Sequence, residues 1–349
     1  METAERNRSM WKLGTYLLLL VVAIVYPLVA SNSYYVHVIV MSFIFAIAVY
    51  GFNLIVGYLG QLSLAQAGFF GIGAYMSGLF TMKLHMSFWL SLPLTAFLTM
   101  LISLPIGFIS FRTKGNYFAI FTMCVGIIIN LVIEKWDSVT GGNTGLIGIP
   151  QPNNLGPISF DSVISQYYLV LAFLVITIFV MTRLVNSLVG RTFMSIRNSS
   201  DLAATLGINV MANKILAFAI ASFFTAIAGV LYAHYIRFIG PDASGLNMTF
   251  DFLLSLLIGG QASIAGPLVG SLLSTGLTEG LQSLQEYRMV VFGILLILIV
   301  KFFPMGIVGG LQLLRFKLMK RFAKTDVAGI AQMKPSKGES HAAENKSIN

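Results

Sequence analysis

Apolar residues run along this chain in blocks of about 20, the length a helix needs to cross a bilayer. They predict spans near residues 13–30, 36–56, 62–82, 88–111, 116–133, 166–184, 215–236, 249–260, 265–284 and 289–309. The eighth block is too short to cross as a straight helix. It reads as a half-helix or re-entrant piece, which is tolerated only when buried in protein. Two long polar segments separate the blocks. Residues 134–165 are rich in Gly, Pro and Asn and read as a loop. Residues 185–214 mix Ala, Leu, Met and Ile with charge. There Ser200 and Asp201 open a short amphipathic helix and Gly207 stops it. The predicted fold is an all-α polytopic membrane protein of about ten transmembrane helices, with interrupted or re-entrant segments.

Composition agrees. Of 349 residues, 56% are hydrophobic and 10% charged, far fewer charges than the quarter or so of a soluble domain. A signal peptide at residues 1–30 fits poorly, because the apolar run Leu13–Ala30 is longer than a typical signal core of about 7–15 residues. An uncleaved first span fits better. Ten passes put both termini on one side. That side holds Arg6, Arg8, Lys12, Arg112, Lys114, Arg183, Arg191, Arg197, Lys214 and the basic tail. The other side holds Lys83, Lys135, Arg237 and Arg288. Positive charge collects on the cytoplasmic side. The reading is therefore a cytoplasmic N-terminus at 1–12, a permease domain at 13–310 and a basic, partly disordered cytoplasmic tail at 311–349. The net charge of +9 is absorbed by topology and tail, and no nucleic-acid partner is expected.

Catalytic patterns are missing. No G-x-x-x-x-G-K-[ST], G-x-S-x-G or H-E-x-x-H occurs. The four histidines are scattered, and the one cysteine, Cys124, allows no disulfide within the chain. Asp251 and Glu279 are the intramembrane carboxylates, few for a proton-coupled carrier. A transport role follows rather than an enzyme, with no metal and no cofactor held by this chain.

The stretch GYLGQLSLAQAGFFGIGAY, Gly57–Tyr75, breaks the apolar rule. Gly71, Ala74 and Gly78 share a helical face, and small residues at this spacing let membrane helices approach closely. Gln61, Ser63 and Gln66 are not explained by packing. They need partners or a water-lined path. Residues 60–65 read GQLSLA and residues 260–265 read GQASIA. A shared G-Q-x-S-x-A motif points to a parallel internal repeat, and interrupted helices at matching places mark a translocation path.

These stretches resemble the branched-chain amino-acid ABC transporter permeases, M-type (LivM-like) subunit. The resemblance lies in Gly57–Tyr75, in TGGNTGLIGIP (Thr140–Pro150), in the segment Gly190–His234 and in IGGQASIAGPLVGS (Ile258–Ser271). It runs from about residue 40 to 310. It implies a second, homologous permease, two cytoplasmic ABC ATPases, an extracytoplasmic solute-binding protein and a bacterial inner-membrane location. ATP would be used by the partner subunits alone. Residues 185–214 would be the coupling loop. Arg191, Ile196, Arg197, Asp201, Leu202, Leu206 and Gly207 would carry ATPase coupling there, with Leu202, Leu206 and Ile208 as its apolar side. The chain departs from the family in one place: acidic residues are usual around Asn198 to Ser200, and here Asn-Ser-Ser precedes Asp201. The substrate path is expected along Asn53, Gln61, Ser63, Gln66, Gln261 and Ser263, with Asp251 and Glu279 as second choices. The expected cargo is leucine, isoleucine or valine. Importers of this type for urea, short amides or aromatic acids, and a self-sufficient secondary transporter, are the alternatives.

Overall fold

The computed structural model describes residues 21–28, 32–113, 115–154, 156, 159–280, 293, 294, 297, 301 and 306–310. The expected cytoplasmic N-terminus, most of the tenth span and the basic tail lie outside them. One compact unit runs to Val308, and the remainder from Gly309 forms a second. Helix α1 is described over 21–28. Then follow α2 (Ser33–Asn53), which runs into a π-helical turn (Leu54–Leu59), α3 (Gln66–Lys83), α4 (Phe88–Ser110) and α5 (Asn116–Lys135). After the short α6 (Asp137–Thr140) come α7 (Val163–Asn186), α8 (Leu188–Asn198), α9 (Ser200–Thr205) and α10 (Val210–Ile236). The last described pair is α11 (Leu246–Gly259) and α12 (Gly266–Gly280).

Among the described residues five helices are long and apolar enough to cross a membrane, and they divide into inner and outer sets. The most apolar windows of α2 and α10 are 78% and 72% buried, whereas those of α4, α5 and α7 are 33%, 22% and 39% buried. So α2 and α10 form the axis, and the others present leucine, isoleucine and phenylalanine outward, as Phe97, Ile120 and Phe179 do. Lipid is as apolar as leucine, so association must rest on close backbone contact and polar bonds. That contact is visible at α10. A Cβ on Gly229 would stand 2.2 Å from the Phe70 carbonyl oxygen, and one on Gly73 would stand 2.6 Å from that of Ala226. Around this crossing, Phe45, Phe70, Tyr232 and Phe252 stack with centroids 5.4–6.4 Å apart, joining α2, α3, α10 and α11.

Two expectations are revised. The 134–165 segment is not a plain loop. It holds α6, a 3₁₀ turn (Gly142–Thr144) and strand β1 (Leu146–Ile147), which pairs antiparallel with β2 (Phe238–Ile239). Among the described residues this small sheet is the exception to a helical body. Four glycines at positive φ, 141, 142, 145 and 148, allow its tight path. The 185–214 segment contains two helices rather than one. Ser199, not Ser200, caps the second: its hydroxyl accepts the Leu202 N–H at 3.2 Å. Gly207 has φ +82° and ends that region as expected.

Candidate functional site

Both G-Q-x-S-x-A copies fall at helix breaks. Gly60, at φ +76°, ends the π-helical turn, and residues 60–65 carry no regular structure before α3 starts at Gln66. Gly260, at φ +111°, ends α11, and residues 260–265 turn the chain into α12. Helices α11 and α12 lie antiparallel at backbone contact. A Cβ on Gly259 would meet the Gly266 carbonyl oxygen at 1.9 Å, and one on Gly270 would meet that of Ser255 at 1.8 Å. With 14 residues, α11 is about 21 Å long at 1.5 Å per residue, too short to cross alone. The structure thus places interrupted helices at matching positions.

The second break is fastened to the end of α2 through Asn53, which is 2% exposed. Its Oδ1 accepts the Ala262 N–H at 2.9 Å, and its Nδ2 donates to the Ser263 carbonyl oxygen at 2.9 Å. Gly57 sits against the same group. A Cβ there would lie 2.1 Å from Asn53 Oδ1 and 2.5 Å from the Ala262 nitrogen, so only glycine fits.

The copies differ in what their serines do. Ser263 Oγ accepts the Gly266 N–H at 2.9 Å and so satisfies the first N–H of α12. Ser63 stands at the equivalent spacing before Gln66, yet makes no such bond. Ser63 is buried with its Oγ unpaired. Gln66 is buried as well, opposite the middle of α10. Its Oε1 lies 3.0 Å from Thr225 Oγ1 and its Nε2 has no partner. Thr225 Oγ1 also lies 2.9 Å from the Ala221 carbonyl oxygen, and its hydroxyl has one proton to give. Whichever way the Gln66 amide is turned, one of its ends stays unsatisfied. A buried polar group without a partner is costly and rare in native structures. Two of them stand within four residues of each other, at a helix start in the bundle interior.

The other candidates divide. Gln61 is half-buried, and Gln261 is exposed at the turn. Gly71 lies under Ser244 and Gly78 under Leu146 and Ile149, so they seat the loops rather than another long helix. Ala74 does border Gly229. The α3–α10 crossing uses Gly73 and Gly229, which the sequence reading missed. The spacing Thr225, Gly229, Ala233 carried that signal. In the coupling segment, Arg191 and Asp201 are exposed, and Leu202 and Leu206 are 62% and 72% exposed. Ile196 is 2% exposed and joins an interior cluster with Phe193, Leu54 and Leu59, so it faces inward and not a partner. Arg197 is exposed, but its Nη1 donates to the Gly57 carbonyl oxygen.

A second buried polar group escaped the sequence reading. His234 Nδ1 lies 2.7 Å from the Pro150 carbonyl oxygen, so Nδ1 carries the proton. Nε2 then accepts from Ser77 at 2.9 Å, and Ser77 accepts from Ser91 at 2.8 Å. This chain ties α10, α3 and α4 to the 134–165 segment. Among the described residues no group of three or more His, Cys, Asp or Glu is placed to hold a metal.

Residues 34–300 match the family described as branched-chain amino acid transport system / permease component. The chain belongs to this family. It is 28% identical over 312 residues to the high-affinity branched-chain amino acid transport system permease protein LivM of Salmonella typhimurium, covering 83% of this chain and 73% of that protein. It is 26% identical over 287 residues to LivH of the same organism, covering 76% and 91%. A probable branched-chain amino acid transport permease protein LivM of Methanocaldococcus jannaschii is 27% identical over 218 residues, 57% and 61% of the two chains. No solved structure matches. Both broken segments, the Gln66 group and the coupling segment fall inside the family's matched range.

Proposed function

We propose that this permease component carries leucine, isoleucine or valine inward across the bacterial cytoplasmic membrane, as one half of a permease pair driven by two separate ABC ATPases. The family match over 34–300 is the observation that carries the reading. Likeness to both LivM and LivH supports a pair of related permeases, of which this chain is the M-type member. An extracytoplasmic binding protein delivers the cargo. The α8–α9 end faces the cytoplasm with both termini. Arg112, Arg183, Arg191, Arg197 and Lys214 gather there against Lys83, Lys135 and Arg237 opposite.

The mechanism follows from the geometry. Exposed Leu202 and Leu206 enter an ATPase groove, and movement of the groove tilts α8 and α9. The broken segments at 60–65 and 260–265 then shift and open a path past Ser63 and Gln66. That path offers hydroxyls and amides and no fixed charge, so it binds cargo weakly enough to release it. This chain holds no cofactor, and ATP acts only on the partner ATPases.

The test is purification of the tagged chain in mild detergent with its partners identified, followed by uptake of labelled leucine and of urea in proteoliposomes. Co-purified ATPases, a second permease and ATP-dependent leucine uptake support the reading. Urea uptake without leucine uptake overturns the substrate assignment. Uptake by the chain alone without ATP overturns the importer assignment.

A further inference from the structure

We propose that the π-helical turn Leu54–Leu59 is the hinge through which α8 moves both broken segments, with Arg197 as the positioning residue that joins them. This rests on the importer reading above. Three observations converge on Gly57.

First, α8 is fastened to the turn. Phe193 and Ile196 are buried in one cluster with Leu54, Ile55, Tyr58, Leu59 and Val185. Second, Arg197 caps the turn from outside. The last carbonyls of any helix lack partners within it, and Arg197 supplies the Gly57 carbonyl with a charged donor. Its stem lies across Gly60, where a Cβ would stand 2.7 Å from Arg197 Cγ. Third, Gly57 backs onto Asn53 and Ala262, and Asn53 binds residues 262 and 263.

A displacement of α8 therefore reaches Gly57 directly. From there it passes along the chain into 60–65, toward Ser63 and Gln66, and across Asn53 into 260–265. Single π-helical turns inside helices are rare and recur at functional sites. Here the turn lies between the driven helix and the candidate path. Arg197 is exposed like Leu202 and Leu206, but its guanidinium is bound within this subunit, to the Gly57 carbonyl.

The test uses the transporter assembled with its ATPases in proteoliposomes. Arg197→Gln is expected to keep the ATPases bound and hydrolysing ATP while leucine uptake falls about tenfold or more, within the usual size of a coupling between sites. Unchanged uptake overturns the proposal. So does joint loss of ATPase binding and uptake, which makes Arg197 a docking residue.

A second variant covers the case in which Arg197→Gln does not fold. A Cβ on Gly60 would lie 3.3 Å from Arg197 Cβ, close to the roughly 3.5–4.5 Å of a disulfide. Gly60→Cys with Arg197→Cys, in a Cys124→Ser background, is expected to be uncoupled when reduced and to regain uptake when oxidised, with Gly60→Cys alone reporting the strain of a side chain at φ +76°. Oxidation that leaves uptake unchanged overturns the hinge. If the unaltered complex neither binds ATPases nor imports leucine, the importer reading fails instead.

Discussion

Replacing Gln66 by Met separates a transport role from a structural one, because the two predict opposite signs. Gln66 is fully buried, and one end of its amide has no partner whichever way it is turned. An unsatisfied buried polar group costs about 1–3 kcal/mol. Met has nearly the same length, no polar end to strand and a flexible stem that fills irregular gaps. Thr225 is not orphaned by the change, since its hydroxyl still reaches the Ala221 carbonyl oxygen at 2.9 Å. The Gln66→Met protein should therefore be more stable by about 1–3 kcal/mol. In detergent that reads as a midpoint a few degrees higher, by fluorescence-detected gel filtration after heating. Leucine uptake by the assembled transporter should fall at the same time. A residue that stabilises when removed and is missed only in transport is held for function. A lower midpoint would show that the amide is paired and structural. An unchanged uptake would remove Gln66 from the path.

Three further outcomes follow from the packing. Asn53→Ala strands the Ala262 N–H and the Ser263 carbonyl, at about 1–3 kcal/mol each if no water replaces them. A midpoint within a degree of the unaltered protein would refute that account. Gly229→Ala forces a methyl to 2.2 Å from the Phe70 carbonyl oxygen, whereas Gly276→Ala meets nothing within 4 Å. The first should cost about 1–3 kcal/mol or more by overpacking. The second should be neutral or gain up to about 1 kcal/mol from helix propensity, and equal midpoints for the pair would contradict the crossing. Leu206→Glu changes a side chain that is 72% exposed, so stability should stay within about 0.5 kcal/mol while the ATPases cease to co-purify. Retained co-purification would move the docking surface elsewhere.

The long apolar blocks were legible because a bilayer demands them, and α4, α5, α7 and α10 lie within a few residues of the expected spans. The break at 60–65 was legible as polar residues where none should be. What the sequence hid has a physical pattern. Periodicity does not say which neighbour a face meets, so the small residues of α3 suggested Gly71, Ala74 and Gly78, while the crossing with α10 uses Gly73 with Gly229. Nor does charge report direction. Arg197 reads as a surface cation until the chain folds back and sets it against the Gly57 carbonyl oxygen. The π-helical turn leaves no mark in composition, since its residues, LIVGYL, would suit any apolar helix.

Two copies of one motif with the same serine spacing would, from local chemistry alone, make the same hydrogen bond twice. The second does, and Ser263 holds the Gly266 N–H. Its loop is further fixed by Asn53, and Gln261 points to the exposed side of the turn. The first does not. Ser63 and Gln66 are turned into the interior without a full set of partners. A buried hydrogen bond is worth about 1 kcal/mol, and an unsatisfied polar atom costs as much or more. Stability alone would make the bond in the first copy as well. On the proposed path the second copy is scaffold, and the first presents the groups that a polar cargo would meet.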